Sequence, residues 1–198
     1  MAVLALVGFW GLLAVVFGVR TVLHRRLTGQ SGWLAPQTPA ARLGDGLFTV
    51  GLVATSAALV GDLAGVVHRL EPLDRPAVAV AGALLWAVGA VLAVAAQSQM
   101  GSAWRAGIDL AGADDLVTTG AFGVVRNPFY VGVMAASAGV ALMVPNAPAV
   151  VGWVGLVVGC EIDVRLVEEP HLRASHGAAW ERYARSTPRF VPGVPDFT

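Results

Sequence analysis

Five stretches of the 198-residue chain are almost wholly apolar: 1–19, 47–67, 77–96, 130–144 and 147–160. A helix needs about 20 such residues to cross a bilayer, so the first three predict spanning helices by themselves. The last two are shorter and are joined by Pro145-Asn146-Ala147-Pro148, which predicts a tight antiparallel hairpin rather than a re-entrant pair. The pattern is that of an all-α integral membrane protein with about five transmembrane helices, the last two forming a helical hairpin. Residues 1–19 lack the basic n-region of a cleaved leader and read as the first span. Asp62 falls near the end of the second stretch, where it either sits at the membrane surface or faces another helix.

Composition agrees: 56% hydrophobic and 13% charged residues lie far from the soluble average. Gly, Ala and Val dominate, which suits helices that associate by close backbone approach, with Ala135-x-x-x-Gly139 and Gly155-x-x-x-Gly159 as candidate contact points. One domain is expected, divided into N-terminal helices (1–96) and a region carrying the chemistry (97–198). The lone Cys160 cannot form an intrachain disulfide and reads as a core thiol. The formal net charge is zero, so nothing points to nucleic acid. Most of the six Trp residues read as interfacial anchors, Trp104 excepted.

All thirteen basic side chains are Arg, and they are distributed unevenly. Only Arg69 and Arg75 fall between the second and third apolar stretches; the other eleven fall in the connections and tail on the opposite side. The positive-inside rule then places the N-terminus outside and the C-terminus in the cytoplasm, as in a prokaryotic plasma membrane. Residues 97–128, the turn after them and everything from Glu161 onward share that cytoplasmic face.

Two motifs lie there. Residues 97–128 are too polar to span and read as a connection with short helical pieces, ending in Thr118-Thr119-Gly120 before Arg126-Asn127-Pro128. Pro128 suits the first turn of the fourth helix, so Arg126 and Asn127 stand at a helix N-terminus, which favours a carboxylate. An Arg snorkelling at the interface is the equal alternative. Beyond the hairpin, Glu161, Arg165, Glu168 and Leu172 recur at i, i+4, i+7 and i+11, one face of a continuing helix, with Glu169 one turn past Arg165. Pro170 predicts a kink or local break there. Carboxylates beside a membrane suit a cationic ligand.

The segment Asp114-Asp115-Leu116-Val117-Thr118-Thr119-Gly120-Ala121-Phe122, the turn Arg126-Asn127-Pro128-Phe129-Tyr130, the pair Glu168-Glu169 and the tail His176-Gly177-x-x-Trp180-x-x-Tyr183 with Pro188 to Pro192 occur in an order that resembles the integral-membrane methyltransferases. That family is typified by isoprenylcysteine carboxyl methyltransferase and phospholipid N-methyltransferases. The resemblance covers about residues 97–193. It implies S-adenosyl-L-methionine as cofactor, no metal, and a lipid or other lipophilic methyl acceptor met at the cytoplasmic membrane face. It also implies Asp115, Leu116, Val117, Phe122, Asn127, Pro128, Tyr130 and Glu168 as cofactor contacts, and Arg126, Glu169 and Arg165 as the catalytic group. For an amine acceptor, Glu169 or His171 would take the proton. The chain departs from the family pattern at Asn127, often His; at Phe122 and Trp180, often Tyr; and at Val164, where eukaryotic members carry an Arg that here has only the adjacent Arg165.

Two other readings follow from the same residues. Sterol-type membrane reductases share similar Arg and Tyr-Pro patterns and bind NADPH, though they have more spans than this chain supplies. A non-catalytic membrane scaffold would use Arg126 and the glutamates only to anchor helix ends.

Overall fold

The computed structural model describes residues 1–107 and 116–194. Among these the regular structure is helical, with only isolated bridges outside the helices. Helix α1 (Ala2–Leu13), a π-helical turn π1 (Ala14–Val19) and α2 (Arg20–Thr28) form one continuous rod. Then come α3 (Pro39–Leu63), α4 (Pro76–Met100), α5 (Pro128–Met143), α6 (Ala147–Ile162), a second π-helical turn π2 (Asp163–Glu168), α7 (Glu169–His176) and α8 (Ala178–Ser186).

Local sequence sets the helix starts. Proline stands in the first turn of α3, α4, α5 and α6, where its missing N–H has no helical partner to lose. The Thr38 and Asn146 side chains accept from the N–H groups of Ala41 and Ala149, satisfying otherwise orphaned donors. The second spanning helix therefore begins at Pro39, eight residues before the apolar run suggested, and carries Arg42 and Asp45 on its first turns.

Three helical stretches are long and apolar enough to cross a membrane: Ala2–Thr28, Pro39–Leu63 and Pro76–Ala103. Helices α5 and α6 have 16 residues each. They form the expected hairpin, but each packs chiefly against another partner, α5 on α4 and α6 on α3.

Glycine explains both pairings. Gly82 and Gly89 on α4 meet Gly139 and Gly132 on α5, and Gly44 and Gly51 on α3 meet Gly159 and Gly152 on α6. Within each helix the two glycines are seven residues apart, close to two full turns, so both lie on one face. A Cβ at Gly82, Gly89, Gly132 or Gly139 would meet the partner's backbone. Of the two candidate small-residue spacings, Gly139 and Gly159 make these contacts, but with partners seven residues away rather than four. The rod of α1 and π1 lies across both pairs, Phe9 of α1 packing with Leu59 and Val140 and Val16 of π1 with Ala93, Leu156 and Cys160.

The two ends of the bundle differ. At one, Asp62 receives Arg69 Nε and Nη2 at 2.7 and 2.8 Å, and the Leu70 N–H donates to Pro145 O in the hairpin turn at 2.7 Å. Asp62 thus lies at a helix end with a salt-bridge partner. The turn after α4, the start of α5 and the π2–α8 segment gather at the opposite end.

Candidate active site

At that opposite end, Asn127 precedes α5 with Pro128 in its first turn, and the tail lies alongside. The N–H groups of Arg126 and Asn127 donate to Pro188 O and Arg189 O at 2.8 and 3.2 Å. The Arg126 guanidinium donates to Glu169 Oε1 from Nε (3.1 Å) and Nη2 (2.9 Å), and from Nη1 to Ala184 O (2.9 Å) and Thr187 O (2.5 Å). Arg189 reaches the same carboxylate from the other side, at 2.9 and 2.7 Å. Arg126 lies 5.7 Å from the Trp180 ring centroid, and Tyr183 Oη donates to Phe122 O at 2.7 Å. Only 7% exposed, Arg126 is a buried tie among four chain segments rather than a snorkelling interfacial residue. Trp180, expected among the interfacial anchors, is instead buried beneath it.

Beside this tie opens a cavity of about 870 Å³, within the range of small-molecule sites. Its lining combines apolar residues, among them Trp10, Leu13, Phe17, Phe48 and Leu52 from α1, π1 and α3, with the polar Gln97, Asp45, Asp163, Glu168 and His171. Trp33, Trp104 and Arg105 close the side above α2 and α4. Gln97, 3% exposed, donates its amide to Val16 O at 3.0 Å. The wider hydrogen-bond spacing of π1 leaves helix carbonyls without regular partners, and here a side chain from α4 supplies one.

The second π turn decides which carboxylates face the cavity. In an α-helix, residues five apart point about 140° away from each other. The wider π turn brings Asp163 and Glu168 to the same side, and both line the cavity. The stripe predicted from regular helical spacing is accordingly split. Glu168 and Leu172 reach the cavity, whereas Glu161 and Arg165 pair with each other on the outer side of the helix, where Arg165 is exposed. Pro170 immediately follows this irregular turn, in the first turn of α7.

The expected cofactor contacts Leu116, Val117, Phe122, Asn127, Tyr130 and Glu168 line the cavity together with Arg126. Pro128 is buried behind them in the first turn of α5. Asp115 lies outside the described residues. Glu169 does not line the cavity; it is held between Arg126 and Arg189. Sequence reasoning missed Asp45, Asp163 and Gln97. The available signal was a charged or amide side chain inside or just beyond an apolar run, where polar groups are costly without a use.

Burial and then the neighbouring Asp163 and Glu169 push the Glu168 carboxyl up to about 8. Burial, and then Asp45, push Asp163 up to about 7. Tyr183 rises to about 12 through burial, which outweighs the opposing pull of Arg126. Among the described residues no group of three or more His, Cys, Asp and Glu side chains is arranged to hold a metal ion.

A family model described as phospholipid methyltransferase matches residues 77–179, more than half of the chain. The chain belongs to the phospholipid methyltransferase family. Among curated proteins, none matches the sequence. Family membership means methyl transfer in a membrane setting, and the matched span includes the 116–130 segment, Arg126, Asp163 and Glu168. In this phospholipid methyltransferase family member the lining residues Trp10, Leu13, Phe17, Phe48 and Leu52, by contrast, come from α1, π1 and α3, which precede the matched span.

Proposed function

We propose that the protein transfers a methyl group from S-adenosyl-L-methionine to a lipophilic acceptor at the cytoplasmic membrane face, with the N-terminus outside, five spans in all, and the C-terminus in the cytoplasm. The observation that carries this reading is a single cavity whose lining combines acidic side chains, Asp45, Asp163 and Glu168, with apolar residues of α1, π1 and α3. Such a lining suits a polar cationic cofactor and a membrane-borne acceptor in one site.

The residues present fit that cofactor. Asp163 and Glu168 on the cavity wall carry carboxyl groups, which are acceptors for a cationic group and for ribose hydroxyls. Trp104 and Phe122 add ring faces. When bound, S-adenosylmethionine supplies a methyl carbon already activated on a sulfonium. The protein's contribution is therefore chiefly alignment and exclusion of water, which can supply several kcal/mol of a displacement barrier.

In this reading Glu168 holds the cofactor's cationic part, while Leu116, Val117, Phe122, Asn127 and Tyr130 form the rest of its wall. Arg126 and Glu169 act by position: their buried ion pair, shared with Arg189, keeps α7, α8 and the tail closed over the site. Where the acceptor has a proton to lose, Asp163 and His171 stand on the cavity wall to receive it. Arg165, on the outer face, has no part.

The test is transfer of a tritiated methyl group from S-adenosylmethionine into solvent-extractable material by the full chain in lipid vesicles. Label appearing with wild type but not with Glu168→Ala supports the proposal. Equal labelling by both would refute the role given to Glu168, and no labelling with any lipophilic acceptor would refute the activity.

A further inference from the structure

The loop 101–107 forms one wall of the cavity, with Trp104, Arg105, Ala106 and Gly107 lining it. Its ends are glycines in the left-handed half of backbone space, Gly101 at φ 55° and Gly107 at φ 102°, so its own conformational preference does little to fix it. What fixes it comes from the N-terminal segment. Arg20 donates from Nη2 to Gly101 O and lies 5.4 Å from the Trp104 ring centroid. His24 meets the same ring edge-on at 5.6 Å. Ala106 N–H donates to Gly32 O at 2.8 Å, and Leu34 N–H donates to Ala106 O at 2.9 Å. Each of these contacts comes from residues 20–34.

Burial shows that this is more than surface contact. Arg20 is 8% exposed and Trp104 2%. Among the described residues Arg20 has no carboxylate partner, and its Nε is buried without an acceptor. A buried guanidinium held by one carbonyl and a ring face is a costly arrangement, which points to a use beyond packing. Residues 20–34 also precede the span that the family model matches.

We propose that Arg20 is a positioning residue for the cofactor site: by gripping Gly101 and Trp104 it holds the 101–107 wall in its binding conformation, making the first helix part of the site. This rests on the methyltransferase reading above, because the ligand used as probe is that reading's own.

The experiment measures S-adenosylhomocysteine binding and thermal unfolding for wild type, Arg20→Met, Trp104→Ala and the double variant, each as the full chain in detergent. Arg20→Met keeps the aliphatic stem but loses the donor and the charge. The expected result is a loss of affinity on the order of tenfold in each single variant, an unfolding midpoint close to wild type for Arg20→Met but lowered for Trp104→Ala, whose buried ring leaves a cavity, and little further loss of affinity in the double variant. Arg20→Lys, which keeps a charge and one donor, is expected to recover part of the affinity. Unchanged binding by Arg20→Met, or losses that multiply in the double variant, would overturn the inference. If Arg20→Met fails to fold, Arg20→Lys and Trp104→Phe decide it: wild-type affinity in the lysine variant together with a large loss in the phenylalanine variant would equally overturn it. Should wild type itself not bind the probe, the proposed function fails instead, and the two failures are thereby told apart.

Discussion

Glu168 and Glu169 are adjacent in the chain and face different surroundings: Glu168 lines the cavity, while Glu169 is clamped between Arg126 and Arg189. One carboxylate is available to a ligand and the other is committed to the fold. Glu168→Ala is therefore expected to abolish cofactor binding with little change in the unfolding midpoint. Glu169→Ala removes the carboxylate shared by the buried Arg126 and the partly buried Arg189, an effect of about 3–5 kcal/mol, and is expected to lower the midpoint markedly. Parallel thermal melts and binding titrations of the two variants check this, and a large stability loss in Glu168→Ala would contradict the division of roles.

The raised carboxyls make the apo protein pH-sensitive. Glu168 titrates near 8 when folded, against 4.5 ordinarily, and Asp163 near 7, against 3.8. Between each pair of values the folded chain binds more protons than the unfolded one, so stability falls as pH rises through about 4 to 8. A cationic ligand favours the ionised forms, so its binding should release protons and weaken as pH drops below about 8. Calorimetry with S-adenosylmethionine in two buffers of different ionisation heat measures the release, and Glu168→Gln should diminish it.

The glycine contacts predict intolerance at particular positions. Gly89→Val and Gly132→Val would each place a branched side chain against the facing backbone, and overpacking of this kind costs typically 1–3 kcal/mol. Gly11→Val on α1 and Gly18→Val on π1, where a Cβ would meet nothing within 4 Å, should be near neutral. Unfolding midpoints of the four variants in detergent distinguish these outcomes; equal losses at all four would contradict the pairing.

Cys160 is fully buried in the cluster with Ala93, Val133 and Leu156 and does not line the cavity. Cys160→Ala is expected to cost about 1 kcal/mol of stability and to leave ligand affinity unchanged, and thiol-specific reagents should label the native protein slowly. Loss of binding in that variant would mean that the thiol serves the site.

Much of this architecture was legible in the residues because a membrane helix announces itself by apolar length, as 1–19 and 77–96 did, and because Pro128 and Asn146 are local signals for helix starts. The glycine contacts were legible in part: spacing by four suggested Gly139 and Gly159, but the seven-residue repeat shared by α3, α4, α5 and α6 marks their true partners. The π turns were not legible. A stripe at i, i+4, i+7 and i+11 assumes regular helix, and the wider turn at Asp163–Glu168 sent Arg165 outward and Asp163 inward. The apolar pattern located α3 but hid Asp45 by starting the helix too late. The grip of Arg20 on Trp104 joins residues more than eighty positions apart and leaves no local trace in the sequence.

The central claim is that the cavity bearing Asp163 and Glu168 binds an adenosylmethionine-type cofactor, and calorimetric titration of the detergent-purified full chain with S-adenosylhomocysteine, in parallel with NADPH, tests it most directly. Micromolar binding of S-adenosylhomocysteine alone is the predicted result. Binding of NADPH alone, or of neither, would contradict it.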